Sequence, residues 1–153
     1  MELKSTLRVF NQKEVSEGPG IAKGQTIKRL AGGTQNPTER IMVALASFKP
    51  GTHEFLHWHP IEVFYYVISG RASMKDIEGK SHDIGPGSVV YAPAGIAGSH
   101  SWEIKEPLQL IAVRATTDLE KNIQFDVDES TKQSSIGFEY LMNRGGGQFK
   151  SLY

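Results

Sequence analysis

The sequence predicts an all-β domain, built as an antiparallel sandwich or a jelly-roll-like barrel. Three observations carry that expectation. Sixteen glycines and seven prolines cut the chain into short pieces. Most of the pieces are rich in Val, Ile, Phe and Tyr, side chains that suit a pleated, half-buried surface. Between residues 40 and 115 no strongly amphipathic helix of usual length interrupts them.

The elements follow in order. Residues 40–48 are a β-leaning run ended by Lys49-Pro50-Gly51. Residues 62–69 are a second run, closed by Gly70. Residues 71–76 precede a turn at 77–80. Residues 88–92 lie between Gly85-Pro86-Gly87 and Pro93-Ala94-Gly95, and residues 108–114 form another strand. Turn signals about every 8–12 residues fit a small sandwich or barrel. The chain divides into an N-terminal extension (1–39), a barrel core (40–115) and a C-terminal tail (116–153). The extension holds one or two strands between the loop at 16–20 and the break at 32–37. In the tail, Asp118 is placed to cap a short helical turn through Asn122. Phe138, Tyr140, Leu141 and Met142 are expected to dock on the barrel or on a second subunit, a partly ordered tail being the alternative.

The chain has 153 residues, one ordinary domain in size, with 39% hydrophobic content to form a core. Seventeen basic and seventeen acidic residues balance, which argues against a dedicated nucleic-acid or anionic-membrane surface. No run of about 18 apolar residues suggests a membrane span. The first residues lack an apolar signal core, so a cytoplasmic location is expected. Cysteine is absent, so thiol catalysis and thiolate ligands are excluded. A metal here must use His, Asp, Glu or water.

The chemistry concentrates at His57-Trp58-His59. On an extended strand residues two apart face the same way, so both imidazoles aim at one point and Trp58 points outward. Converging neutral imidazoles suit a divalent transition metal such as Fe, Ni, Mn, Cu or Zn. Unbroken strand parity would add His53 and Phe55 to that face. His53 is then a candidate general acid/base or substitute ligand, a loop histidine being the alternative. His82 lies in a polar stretch and reads as surface.

These residues resemble the two motifs of the cupin superfamily of small double-stranded β-helix barrels. Gly51, five residues, His57-Trp58-His59 and a closing Gly70 match the first motif. Gly87, five residues and Pro93-Ala94-Gly95 match the second. The match covers residues 40–115 and implies a cupin-type barrel with a metal inside its mouth.

Two departures bear on the ligands. The motif's Glu falls at Val63, and the acid sits one place early at Glu62. Two readings stay open: Glu62 has left the ligand position, or a bulge at Tyr65-Tyr66 restores it. The motif's second histidine falls at Gly98, and a histidine appears two residues later. A two-residue insertion in the Ile96-Ala97-Gly98-Ser99 loop preserves strand parity and brings His100 to the centre. The expected ligands are therefore His57, His59 and His100, with Glu62 conditional.

Candidate cavity walls are Met42, Phe48, Phe55, Val63, Tyr65, Tyr91, Trp102 and Leu110, most of which fit a plain core role equally well. Tyr65 and Tyr91 carry hydroxyls and are the preferred substrate hydrogen-bonding groups. The resemblance implies a metal-dependent enzyme on a small organic molecule, of dioxygenase, isomerase, lyase or cyclase type. A non-catalytic binding module that has partly lost its metal site is the alternative. A metal-free, sugar-nucleotide-type isomerase ranks last, because the central region offers few arginines beyond Arg71 and Arg114. Barrels of this kind imply a homodimer.

Overall fold

A computed structural model describes residues 2–117 and 123–137. The expectations for Asp118 to Asn122 and for Phe138, Tyr140, Leu141 and Met142 lie outside the described residues. The strands, in chain order, are β1 (Glu17–Pro19), β2 (Gln25–Ala31), β3 (Met42–Phe48), β4 (His53–Trp58), β5 (Val63–Ser69) and β6 (Ala72–Asp76). They continue as β7 (Ser81–Ile84), β8 (Val89–Ala92), β9 (His100–Ile104), β10 (Leu108–Arg114), β11 (Phe125–Val127) and β12 (Ser134–Ile136). Two short 3-10 turns, Gln12–Glu14 and Ile96–Gly98, are the helical elements among the described residues. None is long and apolar enough to cross a membrane.

The strands form two six-stranded antiparallel sheets. One runs β1-β2-β3-β10-β5-β8, the other β12-β11-β4-β9-β6-β7. From β3 to β6 the chain alternates between sheets, which gives the expected jelly-roll-like layering. β2 lies in the first sheet beside β3, in register from Gln25↔Phe48 to Ala31↔Val43 with one irregularity.

The core follows from period-2 burial. On β5, Val63, Tyr65 and Val67 are buried while Phe64, Tyr66 and Ile68 are exposed. Their buried faces meet Met74, Trp102 and Ile104 from the opposite sheet. Both faces of β5 are apolar, so only one can be satisfied by this core. On β3 and β10 the inward positions Ala44, Ala46 and Ala112 are buried but small. Ala44 and Ala112 are cross-strand partners, so the first sheet recedes there and leaves space opposite the histidines of β4 and β9.

Candidate metal centre

His57, His59 and His100 come together. They stand at the end of β4, just beyond it, and at the start of β9, where His57 is the register partner of His100. All three are buried, at 1%, 4% and 3% exposure. One ring nitrogen from each lies within 4.8 Å of the others, a group able to hold a metal ion. The ring centroids of His57 and His100 are 4.5 Å apart, and those of His57 and His59 are 5.1 Å apart.

The backbone aims these rings. His57 Nδ1 lies 2.7 Å from the Phe55 carbonyl oxygen, His100 Nδ1 lies 2.9 Å from that of Gly98, and His59 Nδ1 lies 3.3 Å from that of Ile123. A carbonyl can only accept, so each Nδ1 carries the proton and each Nε2 is left bare. Outer-shell partners of this kind fix tautomer and ring orientation in metal sites. The Tyr65 hydroxyl donates to His100 Nε2 at 3.3 Å. His59 Nε2 is buried with no hydrogen-bond partner among the described residues, a costly condition unless something else meets it. The donor set therefore fits a divalent transition metal. Closing the rings on bonds of about 2.0–2.1 Å asks for inward shifts of less than about 1 Å.

Burial also keeps the imidazoles uncharged, as ligands must be. It holds His57 and His59 well below their ordinary value, helped by His100 at His57 and by the Arg114 guanidinium at His59. Burial brings His100 down to about 4. The same desolvation pushes the Tyr65 hydroxyl up to about 12, with a smaller push from Glu54. Tyr65 is thus a protonated donor across the working pH range.

The two-residue displacement of His100 has a visible cause. The turn Ile96–Gly98 takes up the extra residues, with Gly98 N donating to Gly95 O and Ser99 N to Ile96 O. A Cβ at Gly98 would collide with the Pro93 carbonyl oxygen, so the turn needs glycine for close approach.

Three expected site residues lie elsewhere. Glu62 is exposed, and Tyr91, 59% exposed, donates to its Oε2 at 2.7 Å. Both sit on the outer side, while Val63 at the motif position is fully buried. The bulge at Tyr65-Tyr66, one of the two readings left open by the sequence, is absent against β8, where the pairing runs unbroken from Val63↔Ala92 to Tyr66↔Val89. His53 is also exposed, against an exposed Phe55 at 4.7 Å. The reason is a bulge in β4. Three steps from Glu54 to His57 face two steps from Trp102 to His100, so parity changes between them. That turns His53 and Phe55 outward and Glu54 inward, with Glu54 Oε2 4.0 Å from His57 Nε2.

Of the expected walls, Met42, Phe48, Tyr65, Trp102 and Leu110 line the cavity beside the histidines, and Val63 packs in the core. Sequence reasoning missed Glu54, Arg29, Gln25 and Gln124, which also line it. The period-2 set Gln25, Ile27 and Arg29 on β2 was the available signal. Trp58 faces away from the cavity, stacked on Phe125 at 4.4 Å and donating to Ser134 Oγ at 2.8 Å. His82 pairs with Asp76 at 2.9 Å, half-buried at the sheet edge.

Comparisons with known proteins agree with this architecture. The family described as "Cupin domain" matches residues 44–114. No curated protein matches the chain. Among solved structures, the chain is similar to the polyketide cyclase RemF from Streptomyces resistomycificus, with 19% identity and a TM-score of 0.63 over 71% of this chain and 79% of that one. KdgF from Halomonas sp. gives 21% identity and a TM-score of 0.62 over 74% and 98%. Oxalate decarboxylase from Bacillus subtilis, described with Mn(II) centres, gives 26% identity and a TM-score of 0.51, over 63% of this chain and only 27% of that one. By motif, family match and fold together, residues 44–114 form a cupin domain.

Proposed function

We propose that the protein is a divalent-metal-dependent cupin enzyme acting on a small organic molecule. The observation that carries this is the shared arrangement of the three histidines: each Nδ1 is tied to a backbone carbonyl, each Nε2 is unprotonated, and the His59 Nε2 is buried without a partner among the described residues. His57, His59 and His100 would hold the ion, and Glu54 replaces the carboxylate that Val63 removes from the motif. Such an ion supplies Lewis-acid polarisation of a bound oxygen atom.

The chain's own groups do the rest. Tyr65, kept protonated by burial, donates a hydrogen bond or a proton to the substrate. Met42, Phe48 and Trp102 exclude water along the cavity wall. This distribution favours lyase, cyclase or isomerase chemistry, in which a polarised substrate and a positioned donor suffice. Elemental analysis of protein purified without an affinity tag tests it: near one equivalent of Fe, Ni, Mn, Cu or Zn is expected. Replacing His57 and His59 together by Ala should abolish that content while far-UV circular dichroism stays that of the parent. A wild-type protein that takes up no metal even on reconstitution would leave a non-catalytic binding module as the better reading.

We also propose a homodimer. Phe64, Tyr66 and Ile68 of β5 and Val89 and Tyr91 of the edge strand β8 are 39–59% exposed. The register pairs Phe64↔Tyr91 and Tyr66↔Val89 make them one patch. Contiguous apolar surface on an edge calls for a cover. Light scattering at high concentration should give twice the chain mass, and Tyr66→Glu should give the monomer.

A further inference from the structure

We infer that the cavity takes a small carboxylate anion, gripped by Arg114 and Arg29 opposite the histidine cluster. This names the substrate class of the proposed centre and rests on the reading of that cavity as the binding site.

Charge and placement carry the inference. Arg29 on β2 and Arg114 on β10 both line the cavity that holds His57, His59 and Tyr65. Arg114 follows Ala112 by two residues, so both face inward from the same strand. Arg29 is the register partner of Ala44, and Arg114 that of Met42. The Arg29 guanidinium reaches Met42 Sδ at 3.1 Å, and Met42 is the register partner of Arg114, so the two arginines flank one buried methionine. A Cβ at Gly33 would press within 2.7 Å of Arg29 Cδ. The backbone there is bare to let that side chain lie across it.

Arg114 Nε is buried and has no hydrogen-bond partner among the described residues. A buried guanidinium N–H without an acceptor is expensive, and a carboxylate offers the planar two-oxygen edge that a guanidinium fits. Among the described lining residues these two cations face one acid, Glu54. The free volume is about 40 Å³, room for about three waters. The rest of the wall includes Ile21, Ile27 and Phe48, which suits no more than a methyl group behind the carboxylate.

Calorimetric titration of formate and acetate into metal-loaded and chelator-stripped protein tests this, with acetamide and inorganic phosphate as parallel arms. Carboxylate binding is expected, with acetamide and phosphate at least about tenfold weaker. Arg114→Met should weaken carboxylate binding by about tenfold or more, and Arg29→Met by a smaller factor, with metal content unchanged. Should Arg114→Met fail to fold, Arg29→Met and the amide arm on the wild type still decide. A wild-type protein that binds metal but no carboxylate, or binds acetamide equally well, overturns the inference and leaves the metal centre standing. Arginine-dependent carboxylate binding in a protein that takes no metal supports the inference and overturns the metal reading instead.

Discussion

Glu54 and His57 stand on the same side of β4, with Glu54 Oε2 4.0 Å from His57 Nε2, although they are three positions apart. Regular strand parity would put them on opposite faces. The bulge between them spends one residue without advancing the pairing against β9. It supplies an inward carboxylate to a cluster whose motif position holds Val63.

Glu54→Gln should therefore weaken metal binding by about 10–100-fold, the range for groups that support metal ligands. Fold and apo-protein stability should change little, since the amide is nearly isosteric. Competition against a chromophoric chelator measures it. Affinity equal to wild type would place Glu54 outside the centre and leave the three histidines as the whole protein contribution.

Glu62 and Tyr91 give the opposite expectation. Their hydrogen bond lies on the outer surface, and an exposed pair contributes little to stability. Glu62→Gln and Tyr91→Phe should each leave metal content and chelator-competition affinity unchanged. A fall in metal affinity in Glu62→Gln would mean that the acid one place early in the motif does reach the ion.

How much of this was legible in the sequence differs residue by residue. The strand runs, the turns and the convergence of His57 and His59 follow from composition and period-2 spacing. The placement of His100 was legible too, because a shift of two keeps parity and Gly98-Ser99 tolerates a tight turn. The exchange of His53 for Glu54 was not. Phe55 and Leu56 are both large and apolar, so the hydrophobic pattern reads equally well with either residue as the extra one. Only pairing against β9 decides which face each takes. Arg29 was missed because it lies before the motif region, on a strand whose residues are all only half-buried. Its role as a wall depends on β2 joining the sheet beside β3.

Metal-free protein should lose stability between neutral and mildly acidic pH. Burial sets the folded-state pKa values of His57, His59 and His100 below the ordinary 6.5. Above about pH 6.5 both folded and unfolded chains hold these rings neutral, and the shift has no effect. As pH falls toward about 4, where the folded His100 titrates, the unfolded chain binds protons that the folded chain does not. Stability then falls with pH. For His100 alone the loss reaches about 3 kcal/mol at about 1.4 kcal/mol per unit. Urea midpoints of chelator-stripped protein should be lower at pH 5 than at pH 7, and His100→Gln should flatten the dependence. A wild-type midpoint that stays level over that range would mean that the rings are solvated or already protonated.

The turn that carries His100 offers a test of positioning apart from ligand chemistry. Gly98 packs against the Pro93 carbonyl so closely that a methyl group has no room. Gly98 also presents the carbonyl that accepts from His100 Nδ1 at 2.9 Å. Gly98→Ala must move the turn, and with it the tether on the His100 ring. A stability loss of about 1–3 kcal/mol is expected, as for other steric intrusions into packed sites. The more specific expectation is a metal affinity reduced by about tenfold or more with every ligand still present. Ala97→Gly, beside it in the same turn, should cost stability without the affinity loss. Equal metal affinity in Gly98→Ala and wild type, at temperatures where both are folded, would show that the His100 ring is set by Tyr65 and the barrel wall rather than by the turn.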